Sequence, residues 1–234
     1  MSGQLAATAP TAYISPKVYL MPFNTLSRRR LVAATGAAAL GPWPAVAQRV
    51  LSAQDAEDVR RVETYLDNLK TLRARFLQID PAGGSAEGTL YLSRPGKLRV
   101  DYDPPNPNLL IANGQHLIHF DRALKAPAYL GLESTPAGLL VRDPVKLSGD
   151  VTVAGVERGP GALRISVVQS KDPRAGRITL VFSERPFQLT NWQITDAQGQ
   201  LTRVALYEPQ AGLALDPQLF VFLDPKVFGE QGTR

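Results

Sequence analysis

The sequence predicts a mainly β (α+β) fold in a single domain: a curved antiparallel sheet accompanied by one long helix and one short one. Three observations predict it. The apolar period drops from about 3.6 residues to about 2 near Thr71. Short alternating runs separated by turn residues then follow almost to the C-terminus, and no repeat, low-complexity tract or linker divides the chain.

Ahead of these elements, Ser27-Arg28-Arg29-Arg30-Leu31-Val32 leads into an apolar run of small residues, Ala33 to Leu40. The breakers Gly41-Pro42-Trp43-Pro44 follow, and then the small-x-small step Ala45-Val46-Ala47. A basic head, a short apolar middle and an A-x-A step are the parts of a secretory signal, here 1–47, and the apolar run is too short to span a bilayer. The paired arginines resemble a twin-arginine export signal, with an ordinary Sec signal as the alternative. Met21 would serve as the true start of the precursor. The folded domain is expected over 48–234.

Removing 1–47 takes away Lys17, Arg28, Arg29 and Arg30 and no acid, so 26 basic residues become 22 against 21 acidic ones. The basic excess belongs to the signal. A near-neutral remainder offers no stripe for nucleic acid and no polybasic membrane anchor. The chain has no cysteine, which excludes disulfides, thiolate metal sites, a cysteine nucleophile and an acylated N-terminal cysteine.

The first folded element is a helix from Ser52 to about Lys70. Val59, Val62, Leu66 and Leu69 form one stripe, Ser52 or Asp55 caps its start, and Asp55, Glu57 and Asp58 suit the positive end of its dipole. Strands are then expected over 72–79, 86–92, 97–103, 108–113, 115–121, 125–130, 151–158, 162–169, 176–183, 188–196 and 201–208. Tight turns such as Arg94-Pro95-Gly96, Asn113-Gly114 and Gly159-Pro160-Gly161 make them an antiparallel meander. Between the sixth and seventh strands, Ser134 to Arg142 holds a capping residue, an early proline and an apolar cluster, hence a short helix in a long connection. The tail, Leu219-Phe220-Val221-Phe222, reads as a last short strand or an apolar strap. A twisted sheet of roughly ten strands curls, and two helices hardly fill it, so a lined cavity is expected, with a tightly packed sandwich as the alternative of similar periodicity.

Catalytic chemistry is sparse. His116 and His119 are three apart in a strand pattern and so face opposite sides, which argues against a metal pair. Asp101 and Asp103 share a face, as paired carboxylates would, but they enter the Pro104-Pro105 turn and read as a charged strand end. Ser85 lacks the following glycine of a nucleophile elbow, and no phosphate loop or dinucleotide fingerprint is present. The expectation is a binding protein, not an enzyme, with no cofactor and no metal.

The ordered motifs resemble the LolA family of periplasmic lipoprotein carriers. They are Phe76-Leu77-Gln78, Glu87-Gly88-Thr89-Leu90-Tyr91, Arg94-Pro95, Tyr102, Asn113-Gly114-Gln115, Thr135-Pro136 with Leu139-Leu140, and Phe220-Val221-Phe222-Leu223-Asp224-Pro225. The resemblance implies an incomplete antiparallel β-barrel closed by the N-terminal helix and a short lid helix. It implies a monomeric periplasmic chaperone for the acyl chains of lipoproteins, taking them from the inner-membrane LolCDE transporter to the outer-membrane receptor LolB. It assigns Arg94 as a lid latch, with carbonyl partners at Leu110, Leu140 and Val141. It places Leu98 against the acyl chain, in a hydrophobic cavity with Phe76, Leu90, Val100, Tyr102 and Leu139. Ala137-Gly138 in the lid and Val100 depart from the family pattern, where larger apolar and aromatic residues are common. The alternatives are a carrier of another lipid, or a periplasmic sensor of acylated proteins, on the same fold.

Overall fold

The computed structural model describes residues 51–225. The signal expected over 1–47 lies outside them. Helix α1 is Ala53–Asn68. Ser52 Oγ accepts from the Asp55 N–H at 3.0 Å, and the Asp55 carboxylate accepts from the Ser52 N–H at 3.4 Å. The two candidate caps therefore act together as one capping box. Val59, Val62 and Leu66 form the buried stripe.

The strands are β1 (Thr71–Ile79), β2 (Ser85–Ser93), β3 (Lys97–Tyr102), β4 (Asn108–Asn113), β5 (His116–Asp121), β6 (Ala126–Gly131), β7 (Val151–Gly159), β8 (Ala162–Gln169), β9 (Gly176–Glu184), β10 (Phe187–Asp196) and β11 (Leu201–Ala211). Their ends match the expected ones to within one residue, except that β11 runs on to Ala211. They form one sheet in the order β6-β5-β4-β3-β2-β1-β11-β10-β9-β8-β7. The chain thus builds one half as a meander, crosses to the opposite edge, and meanders back until β11 pairs with β1. Edges β6 and β7 do not pair, so the barrel is incomplete. Pro127 lies in β6, an edge, where a missing N–H costs least.

That crossing connection is the cover of the concave face. It holds a 3-10 turn, Leu132–Ser134, and helix α2, Pro136–Val141, every residue of which is buried. Thr135 caps α2, accepting from the Gly138 N–H, and Pro136 occupies the first turn. The concave side is filled by one continuous apolar cluster drawn from α1, α2 and inward rows such as Leu72, Ala74 and Phe76 of β1.

β4 breaks the alternation. Leu109, Leu110, Ile111 and Ala112 are all buried, because each face of this strand has its own cover. Leu110 and Ala112 join the concave core, whereas Leu109 and Ile111 join Phe120 and Phe222 in a second cluster on the convex face. The tail is therefore the strap and not a strand: after a 3-10 turn at Pro217–Phe220 it crosses the outside of the sheet. Phe222 meets Phe120 at a ring separation of 5.3 Å, Arg99 Nη1 donates to the Leu219 carbonyl at 3.0 Å, and the Tyr129 hydroxyl donates to Asp224 at 2.8 Å.

Candidate functional site

The site is built on one row across three strands, Phe76, Gly88 and Tyr102. A Cβ on Gly88 would lie 2.7 Å from the Phe76 ring and 2.0 Å from the Asp101 carbonyl oxygen. The missing side chain lets Phe76 and Tyr102 meet edge to face at 5.2 Å. These two rings form part of the wall of a cavity of about 50 Å³ under the lid.

Phe76, Leu90, Leu98, Val100 and Tyr102 all line this cavity, and so does Leu110, through its side chain. Leu139 does not. It lines a separate cavity of about 200 Å³ on the other flank of α2, with Val151, Val167 and Ile178. The reason is helical geometry: successive residues point about 100° apart, so Leu140 faces one cavity and Leu139 the other. Lid residues on the first cavity are Pro136, Ala137 and Leu140. Gly138 explains one departure from the family pattern, since a Cβ there would lie 2.5 Å from the Leu132 carbonyl oxygen. The lid helix sits against the preceding turn too closely for a larger residue.

The opposite wall is Trp192, Ile194, Thr202 and Val204 from β10 and β11, together with Gln78. The sequence reading missed these. Their inward alternation was visible, but the pairing of β11 with β1, which brings them to Phe76, is a contact between distant segments.

Arg94 lies between the two helices and is 8% exposed. Its Nε and Nη2 donate to the Leu140 carbonyl at 2.8 and 2.7 Å, and its Nη1 donates to the Leu69 carbonyl at 2.9 Å and to that of Leu66. Of the carbonyls expected for it, only Leu140 accepts. The Val141 carbonyl takes the backbone N–H of Gly96 at 2.8 Å, and Leu110 belongs to the β3–β4 ladder. The remaining partners come from the end of α1: the Leu66 carbonyl, which also takes the capping Leu69 N–H at 3.2 Å, and the carbonyl of Leu69 itself, just past the helix. Burial lowers the Arg94 pKa to about 10, partly offset by Asp143 and Asp67, so the guanidinium stays charged at neutral pH.

A second set of contacts fastens the lid to α1. Glu63 and Asp67 accept from the backbone N–H groups of Leu147 and Val145 at 2.7 and 2.6 Å, and Lys70 Nζ donates to Asp143 at 2.8 Å. The fit is one of spacing: four helical residues rise about 6 Å and two extended residues about 6.6 Å, so an extended segment runs alongside the helix.

The other polar candidates are structural. Asp101 pairs with Arg99 and Arg122, and Asp103 with Arg75. His119 Nε2 lies 2.7 Å from Asn108 Oδ1, and His116 is exposed at the start of β5. Among the described residues no cluster of histidine and acidic side chains has the makings of a metal site. None of their helices is long and apolar enough to cross a membrane.

A profile of the family described as "Outer membrane lipoprotein carrier protein LolA" matches residues 67–223. An outer-membrane lipoprotein carrier protein of Methylococcus capsulatus is 32% identical over 174 residues, 70% of this chain and 83% of its own. One from Pseudomonas aeruginosa is 31% identical over 179 residues, 73% of this chain and 85% of its own. A solved LolA superfamily protein from Nitrosomonas europaea has a TM-score of 0.42 at 10% identity, over 70% of this chain and 97% of its own, too remote to bear on function.

Proposed function

The chain belongs to the LolA family of outer membrane lipoprotein carriers, and on that premise we propose that it is a periplasmic carrier for the acyl chains of lipoproteins. It takes them from the inner-membrane LolCDE transporter and gives them to LolB at the outer membrane. The observation that supports this best is an apolar cavity roofed by a lid that one buried arginine ties to α1.

Magnitudes give the mechanism. Each buried CH₂ is worth about 0.8 kcal/mol, so a sixteen-carbon chain would gain roughly 12 kcal/mol. Binding that strong would trap the cargo. The closed cavity of about 50 Å³ is far below the roughly 300–1,000 Å³ of ordinary ligand pockets. Entry therefore requires the lid to move, which breaks charge-assisted bonds of Arg94 worth about 1.5–3 kcal/mol each. That cost lowers net affinity and keeps transfer reversible.

Two variants test this. Leu98→Glu puts a carboxylate into the cavity wall and should abolish lipoprotein binding while circular dichroism still reports the sheet; unchanged binding would place the site elsewhere. Arg94→Leu should hold lipoprotein more tightly and release less of it to LolB. Normal affinity together with normal release would refute the latch.

A further inference from the structure

Apart from the indole of Trp192, polar side chains enter the cavity lining at three positions, Gln78, Tyr102 and Thr202. All three are buried, with exposures of 9%, 5% and 5%. Thr202 lies two residues from Val204, the register partner of Gln78, on the same face of β11. They gather at the strand ends remote from Arg94, whose backbone N–H is bonded to the Lys70 carbonyl. Eight residues of strand separate Lys70 from Gln78, roughly 25 Å.

The Tyr102 hydroxyl donates to Gln78 Oε1 at 2.9 Å. That satisfies one end of the amide. With Oε1 facing the Tyr102 hydroxyl, the NH₂ is the end left to donate; it makes no hydrogen bond to the described residues, and Gln78 lines the cavity. An amide placed so costs free energy that leucine at the same position would not. A hydrocarbon chain gains nothing from it. No charged side chain lines the cavity, so a phosphate or carboxylate has no partner there. A carbonyl oxygen, which only accepts, fits the amide N–H and the threonine hydroxyl.

We propose that Gln78, with Thr202 beside it, receives the ester or amide carbonyl of a bound acyl chain, so that the cavity reads the linkage of the chain as well as its hydrocarbon. This rests on the lipoprotein-carrier reading. It makes Gln78 a specificity residue and Tyr102 its positioning residue, turning the amide toward the ligand.

The test compares two lipids on the full chain, a dipalmitoylglyceryl-cysteine peptide and its dihexadecyl ether counterpart, which lacks only the ester carbonyls. Each displaces a fluorescent apolar probe. The parent protein should bind the diester roughly three- to tenfold more tightly than the diether, the range set by one neutral hydrogen bond. Gln78→Leu should bring that ratio close to one, whatever it does to the affinity for the diether. Thr202→Val, which keeps the shape, should lower the ratio part of the way. Should Gln78→Leu alone not fold, because it strands the Tyr102 hydroxyl, Gln78→Leu with Tyr102→Phe removes both partners and is expected to show the same ratio. Equal affinities in the parent, or an undiminished preference in the variants, would overturn the proposal and leave the carrier reading standing. A parent protein that binds neither lipid would overturn both.

Discussion

Arg94 and His119 show how burial acts on single side chains. Arg94 takes backbone carbonyls as its hydrogen-bond partners, so its charge is solvated by the ends of two helices. In the lid movement proposed above, those carbonyls would have water as an alternative partner. His119 is the opposite case. Burial lowers its pKa, with Asp121 pulling the other way, and Asn108 holds the ring. A folded value below the unfolded one, about 6.5, means that the unfolded chain binds more protons between the two. The contribution of His119 is therefore present above about pH 6.5 and is lost as pH falls through the folded value. Thermal melts from pH 7 to 5 should show the parent losing more stability than His119→Gln, which keeps a donor for Asn108. Parallel losses would mean that the imidazole is not titrating. Arg94 was named by the family resemblance, through its place in the Arg-Pro step. His119 was legible only as a strand residue, because its partner Asn108 lies on a different strand.

At the scale of elements, α1 and the lid segment behave as one cover. Glu63 and Asp67, one helical turn apart, hold the N–H groups of Leu147 and Val145, and the Val145 and Leu147 side chains are buried beneath. Glu63→Gln combined with Asp67→Asn replaces two charge-assisted bonds by neutral ones, an expected loss of about 1–2 kcal/mol. Hydrogen exchange should quicken at Val145 and Leu147 and stay unchanged in β1 to β5. Faster exchange throughout the sheet would mean that the cover and sheet open together. The elements themselves were almost all readable, because helix stripe, strand alternation and turn residues are local signals. The two acids on α1 were not, since helix-face carboxylates look solvated until the partner segment is placed against them.

For the molecule as a whole, both faces of one sheet are covered, the concave one by the two helices and part of the convex one by the strap. Phe222 closes the convex cluster over Leu109, Ile111 and Phe120. Phe222→Ser should cost about 2 kcal/mol in urea unfolding, less than a fully buried phenylalanine because Phe222 is only half-buried. Lipid binding on the other face should persist, and its loss would mean that the two faces are coupled. The sequence by itself determined the strands, the two helices and the one-domain architecture, because helix stripe, alternation and turn residues are local signals; the cavity residues came with the family resemblance. Only the tertiary structure decided that β11 joins β1, that Leu139 turns away from the first cavity, that α1 supplies the carbonyls for Arg94, and that the interior is nearly closed. Each of these depends on where distant segments meet, and pairing energy between distant segments leaves no period in a chain.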